Sequence, residues 1–118
     1  MSVTPRAAGE ALVDRARRAR ERREAAEREA RERAQSIAHA LRDEHGADAV
    51  YLFGSLAWGG FHDGSDIDLA VVGLTPRALA LAAADAEAIA DRSVTLLDLD
   101  DAPASLQQRI QERGVRLA

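Results

Sequence analysis

The amino-acid sequence predicts an α+β fold in which one long N-terminal helix precedes a small domain of strands and helices. Three observations support this prediction. The first 45 or so residues are rich in Ala, Arg and Glu, which are all strong helix formers. Short apolar runs with alternating Val, Ile and Leu follow, as is typical of strands. Segments with helical spacing separate these runs, and one of them opens on the helix-start signal Thr75-Pro76.

The N-terminal segment from Ala8 to His45 contains only one glycine, Gly9, and no proline. We predict a helix from Ala11 to His45 that ends at Gly46. Its length is roughly 50 Å at 1.5 Å per residue. Acid–arginine pairs four residues apart favour it further: Glu24–Arg28, Glu27–Arg31 and Glu29–Arg33.

This helix must extend past a domain of ~75 residues, which is only about 30 Å across when compact. Ile37 and Leu41, near its end, are the side chains large enough to anchor it in a core. The chain is therefore predicted to divide into an extended, charged helix over residues 1–35 and a compact domain over residues 36–118. The extension is either a solvated, salt-bridged helix or a surface for a protein partner or a second copy of the chain.

A Gly-Ser corner follows the first predicted strand, Ala49–Phe53, and precedes Leu56–Trp58, which can begin a short helix. Such a corner exposes backbone N–H groups, where a phosphate is favoured. Gly54 allows a phosphate to approach the backbone closely, and the Ser55 hydroxyl adds a donor. Taken alone, the corner is more often explained by Ser55 acting as a helix cap.

The next predicted strand carries two aspartates at its start, although strands are depleted in aspartate. Residues two apart on a strand share a face, so Asp66 and Asp68 lie side by side while Ile67, Leu69 and Val71 face the core. Neighbouring carboxylates repel each other unless a proton or cation lies between them. Oxygen ligands of this kind suit Mg²⁺. A solvated strand end is the alternative for this pair alone, but with the Gly-Ser corner it indicates a site for a nucleoside triphosphate and its metals.

The remaining elements follow in order along the chain. We predict a helix from Pro76 to Asp91, a strand from Ser93 to Leu99 and a helix that starts near Ala102-Pro103 and ends before Gly114. Residues 115–117 are compatible with a short edge strand.

At the Gly-Ser and Asp-x-Asp motifs, which are ten residues apart, the chain resembles the minimal nucleotidyltransferases of the DNA polymerase beta superfamily. The resemblance covers roughly residues 36–118. It implies the nucleotidyltransferase fold, with a small antiparallel or mixed sheet, helices on one face and the active site on the other.

The resemblance also implies roles for individual residues. Gly54, Ser55 and Ser65 are expected to bind ATP, while Asp66 and Asp68 are expected to hold two divalent metals, Mg²⁺ or Mn²⁺. Members of this family transfer a nucleotide, usually AMP from ATP, to a hydroxyl group and release pyrophosphate.

One position departs from the family pattern. The third carboxylate of the family usually stands second in the strand that corresponds to Val94–Leu99, where this chain has Thr95. That carboxylate generally assists deprotonation of the attacking hydroxyl and metal binding, and threonine does neither well. Asp98 is the remaining catalytic candidate, but it lies three positions on and requires a bulge to re-aim it. Without a bulge it is a solvated strand end.

A domain this small leaves little surface for an acceptor pocket, so we expect the acceptor to arrive on another protein. Small members of the family are often encoded beside helical HEPN-type toxins, and some act as antitoxins by attaching AMP to a toxin tyrosine. By resemblance this is the expected role. Two alternatives stay open: a module that binds ATP and a partner without turnover, and a transferase for small hydroxyl compounds such as aminoglycosides.

Composition sets further bounds. The net charge is −4, and six arginines lie between Arg15 and Arg23. Glu21 and the acids after it dilute this patch, and no aromatic residues interleave for stacking, so nucleic-acid binding is not expected. There is no cysteine, which excludes a disulfide framework. No signal-like core and no apolar run near ~20 residues is present, so we expect a cytoplasmic protein without a membrane span.

Overall fold

The computed structural model describes residues 4–118, so residues 1–3 of the predicted extension 1–35 lie outside the described range. The predicted α+β fold is confirmed. In chain order the elements are α1 (Pro5–Asp43), β1 (Ala49–Phe53), α2 (Ser55–Trp58), β2 (Ile67–Val72), α3 (Pro76–Ala90), β3 (Val94–Asp98), a 3₁₀ turn (Leu99–Asp101), α4 (Ala104–Arg113) and β4 (Val115–Arg116).

Helix α1 begins six residues earlier than predicted. The Thr4 hydroxyl accepts a hydrogen bond from the N–H of Ala7 at 3.2 Å, and Pro5 occupies the first turn. This is the same Thr-Pro start that identified α3 in the sequence. The helix is 39 residues long, and the described molecule measures 65 × 29 × 17 Å. The predicted long N-terminal helix is thus confirmed.

The buried side chains of α1 all lie in its second half and are Ala30, Ala34, Ile37, Ala38 and Leu41. The first half is exposed and charged. Of the predicted ion pairs, Glu29–Arg33 lies within ion-pair distance at 3.7 Å. In the described range 4–118, the pairs Glu24–Arg28 and Glu27–Arg31 do not. Over that range no helix is both long enough and apolar enough to cross a lipid bilayer.

The sheet has the strand order β3-β2-β1-β4. Strand β1 runs antiparallel to β2 and to β4, while β2 and β3 are parallel and α3 connects them. Strand β4 is the predicted short edge strand.

The two faces of the sheet are covered differently. On one face α1 and α3 bury a continuous core that includes Ile37, Leu41 and Leu69. On the other face Ile110 of α4 packs in a smaller cluster with Phe53, Ala70 and Leu99. The implied layer of helices on one face is therefore formed by α1 and α3, and α4 covers part of the face that carries Asp68.

Candidate active site

The corner after β1 and the aspartate strand β2 are brought together by the antiparallel register, in which Phe53 lies opposite Asp68. Gly54, the next residue, has φ 72° and ψ −157°, a conformation that is essentially restricted to glycine. A Cβ atom at position 54 would collide with the Oδ2 atom of Asp68. The Asp68 carboxylate therefore lies directly on the backbone of the corner.

This contact gives the absent side chain of Gly54 a structural reason that the sequence does not predict. The space where a Cβ would lie is taken by the carboxylate of Asp68. A close approach of phosphate to the Gly54 backbone stays a prediction.

Hydrogen-bond donors remain at the corner. Ser55 is the first residue of α2 and Gly54 is the N-cap, so the Ser55 side chain does not cap the helix. The N–H groups of Ala57 and Trp58 donate to the Gly54 carbonyl at 3.1 and 2.8 Å, whereas those of Ser55 and Leu56 have no acceptor within the helix. Because α2 has only four residues, these donors and the Ser55 hydroxyl matter more than the helix dipole.

Helix α1 also contacts the corner helix α2 and fixes its position. The guanidinium of Arg31 in α1 donates to the Leu56 carbonyl at 3.1 Å, and the Leu56 side chain is only 2% exposed. The position of the corner is therefore fixed by the core as well as by the sheet.

The two predicted metal ligands are close enough to interact. Asp66 is exposed just before β2, Asp68 is partly buried, and Ile67 between them is fully buried on the opposite face. Burial raises the pKa of Asp68, the Thr95 hydroxyl lowers it as a hydrogen-bond donor, and the negative charge of Asp66 raises it. The net shift is upward, so the ionised pair is electrostatically unfavourable as it stands.

The parallel register of β2 and β3 decides the roles of Thr95 and Asp98. Thr95 lies opposite Asp68 and shares its face, whereas Asp98 lies opposite Val71 and belongs to the other face. The Asp98 carboxylate accepts a hydrogen bond from the N–H of Asp100 at 3.0 Å and so begins the 3₁₀ turn. No bulge interrupts the register. The structure thus does not bring Asp98 to the aspartate pair, which corrects its catalytic assignment.

Ser65 belongs to the loop between α2 and β2. Its hydroxyl accepts a hydrogen bond from the N–H of His62 at 3.1 Å, and its carbonyl accepts one from the Arg92 guanidinium at 3.0 Å. The guanidinium carbon of Arg92 also lies 5.0 Å from the ring centre of the buried Phe61. In this structure Ser65 and Arg92 shape the loop that leads into Asp66, and a contact of Ser65 with nucleotide stays a prediction. Sequence reasoning missed Arg92, whose available signal was its position just before the strand beside the aspartates.

The chemistry of these donors fits a divalent cation. The Asp68 carboxylate lies opposite Thr95 and interacts with the charge of Asp66, and hard oxygen ligands of this kind suit Mg²⁺ or Mn²⁺. A cation would also favour the ionised form of Asp68, whose pKa is raised first by burial and then by the charge of Asp66.

Comparison with known proteins assigns the class. Residues 35–118 match the family described as polymerase beta, nucleotidyltransferase. The chain belongs to this nucleotidyltransferase family. None of the proteins with curated functions matches it.

Several solved structures are similar to this chain in both fold and sequence. A crystal structure of the toxin–antitoxin MntA–HepT is 29% identical, covers 75% of this chain and 71% of its own, and has a TM-score of 0.58. A mutant of such a toxin–antitoxin pair is 31% identical over 72% of each chain, with a TM-score of 0.63. A toxin–antitoxin crystal structure with AMP-PNP is 30% identical over 71% and 72% of the two chains, with a TM-score of 0.62. The chain is thus similar to proteins in solved structures of toxin–antitoxin pairs.

The contact between Gly54 and Asp68 predicts the effect of Gly54→Ala. The variant should lose about 1–3 kcal/mol more unfolding free energy than Gly46→Ala, because its Cβ must displace a packed carboxylate. Gly46 also has a positive φ, 80°, but a Cβ there meets nothing within 4 Å. Urea unfolding of both variants measures the difference. The extra loss should become smaller when Gly54→Ala is combined with Asp68→Ala, because only the strain of the glycine-specific backbone then remains, and an extra loss that is undiminished there would contradict the contact.

The raised pKa of Asp68 predicts a pH-dependent gain from Asp68→Asn in metal-free buffer. The folded protein binds this proton more tightly than the unfolded chain, so the contribution to stability is complete below the ordinary pKa of 3.8 and is lost as pH rises through the raised value. At pH 7 Asp68→Asn should therefore have a higher unfolding free energy than the parent protein. This advantage should shrink as pH falls towards 3.8.

Asp63→Asn provides the control, because Asp63 is an exposed acid of the same loop region and should change the unfolding free energy by no more than about 0.5 kcal/mol. Denaturant unfolding at several pH values makes the comparison. Asp68→Asn being less stable than the parent at pH 7 would refute the electrostatic description of the pair.

Proposed function

We propose that this protein is a metal-dependent nucleotidyltransferase that moves AMP from ATP to a hydroxyl group on a partner protein. The observation that carries the proposal is the direct packing of Asp68 on the Gly54 backbone, with Asp66 beside it. This contact unites phosphate donors and metal-binding carboxylates in one small site.

In this proposal the aspartates bind the metal and the corner binds the phosphates. Asp66 and Asp68 hold Mg²⁺ or Mn²⁺, and the unbonded N–H groups of Ser55 and Leu56 orient the outer phosphates of ATP. When bound, the metal offsets charge on the phosphates and so lowers the barrier to transfer. The acceptor oxygen forms a bond to the α-phosphorus, the bond to pyrophosphate breaks, and pyrophosphate and a proton are released.

Thr95 changes the charge around the aspartate pair. It places a hydroxyl, and not a third carboxylate, opposite Asp68, which adds no negative charge beside the pair and lowers the pKa of Asp68. With Asp98 on the other face, this geometry also supports the second candidate, a module that binds ATP and a partner without turnover.

The proposed partner is a HEPN-type toxin, with this protein as its antitoxin. Support comes from the toxin–antitoxin structures to which the chain is similar and from the small size of the domain, which leaves little surface for an acceptor pocket. The exposed first half of α1, which carries Leu12 at 59% and Val13 at 67% exposure, is the surface we propose for docking of the toxin or of a second copy.

A transfer assay tests the enzymatic proposal. The protein and the partner that co-purifies with it are incubated with Mg²⁺ or Mn²⁺ and ATP labelled at the α-phosphate. Label should move to the partner, and mass spectrometry should locate added AMP on a hydroxyl side chain. Asp66→Asn and Asp68→Asn should each reduce transfer by more than about 100-fold, since loss of groups that merely orient metal ligands costs 10–100-fold.

Asp98→Asn is the matched control, because asparagine also caps turns and position 98 lies on the other face. It should leave transfer within about twofold of the parent protein. Equal loss in Asp98→Asn and Asp66→Asn would contradict the assigned site. Firm ATP binding with no transfer under either metal would establish the inert module.

A further inference from the structure

Two arginines of α4 meet the last residue of the corner helix α2. The guanidinium carbon of Arg109 lies 4.3 Å from the ring centre of Trp58, and that of Arg113, one turn on, lies 5.8 Å away. The indole N–H of Trp58 donates to the Arg113 carbonyl at 3.0 Å. Between Arg109 and Arg113, Ile110 is fully buried on the sheet face that carries Asp68. These contacts fix α4 and its arginines against the corner.

Neither arginine is neutralised. Both side chains are exposed, and within residues 4–118 no carboxylate lies at ion-pair distance from either. A guanidinium stacked on an aromatic ring keeps its full charge and leaves its N–H edge free for oxygen acceptors. Trp58 therefore holds the Arg109 guanidinium in place without neutralising its charge.

The corner segment itself contains no arginine or lysine side chain that could bind an anion. Residues 54–65 contain neither arginine nor lysine, although the triphosphate proposed to bind there carries several negative charges and Asp66 and Asp68 add more. Arg92, the nearest arginine in sequence to this strand pair, is committed to the Ser65 carbonyl and the Phe61 ring. Arg31 does reach the corner helix from α1, but its guanidinium donates to the Leu56 carbonyl, so an arginine with its N–H groups free must come from a further element.

Helix α4 supplies that charge. Ser55 and Trp58 are three residues apart on one helical turn, which places their Cβ atoms about 5–6 Å apart. Arg109, stacked on the Trp58 ring, therefore lies about one helical turn along α2 from the phosphate donors. We propose that Arg109, assisted by Arg113, binds the terminal phosphate of the nucleoside triphosphate. This inference rests on the proposed function and adds a residue from outside both sequence motifs.

Equilibrium titration with ATP and ADP in the presence of Mg²⁺ tests the inference, since ADP lacks the terminal phosphate. Arg109→Gln should weaken ATP binding about tenfold, which corresponds to about 1.4 kcal/mol, and should weaken ADP binding no more than about twofold. Arg109→Lys keeps the charge without the planar N–H edge and should restore part of the affinity for ATP. Unfolding midpoints of these variants serve to verify that they fold.

Arg77→Gln is the matched control, because Arg77 is an exposed arginine of α3, a helix on the other face of the sheet. It should leave both affinities unchanged. Equal weakening of ATP and ADP by Arg109→Gln, or no weakening, would overturn the inference. Asp66→Asn in the same titration separates the two proposals: if it abolishes ATP binding while Arg109→Gln does not affect it, the nucleotide site stands and the role of Arg109 falls.

Discussion

The structure of the candidate site depends on one contact, in which the Asp68 carboxylate lies on the backbone of Gly54. The antiparallel register of β1 and β2 creates it by placing Phe53 opposite Asp68, and only glycine tolerates both the backbone conformation and the carboxylate. The rest of the domain supports this arrangement. Helices α1 and α3 cover the opposite face of the sheet, and Arg31 of α1 ties the corner helix to the core.

The same contact has an energetic cost, because a partly buried carboxylate stands beside a second negative charge. The raised pKa of Asp68 records that cost. Functional sites commonly sacrifice stability in this way, since the group that is unfavourable in the free protein becomes favourable when its ligand binds. Thr95 moderates the cost, because its hydroxyl opposes the rise in pKa where a third carboxylate would add to the repulsion. The position that departs from the family pattern therefore makes the ionised form of Asp68 less unfavourable.

Much of the fold could be predicted from the sequence because short local patterns determine the strands and helices. Apolar runs predicted β1 and β2, and the spacing of the two aspartates predicted that Asp66 and Asp68 lie close enough to interact. The Thr4-Pro5 start of α1 was overlooked although its signal was present. Other features depend on contacts between distant segments, which local patterns do not encode. The occupant of the space above Gly54 follows from strand register, and the positions of Arg92 and Arg109 follow from how a loop and a helix pack on the sheet.

A crystal structure of this protein with Mg²⁺ and a non-hydrolysable ATP analogue would show directly whether the corner and the aspartates form one site. We expect carboxylate oxygens of both Asp66 and Asp68 at about 2.0–2.1 Å from Mg²⁺. We also expect outer phosphate oxygens within hydrogen-bond distance of the Ser55 and Leu56 N–H groups, at about 2.7–3.2 Å. A nucleotide bound elsewhere, or a metal held without these two aspartates, would contradict the single site.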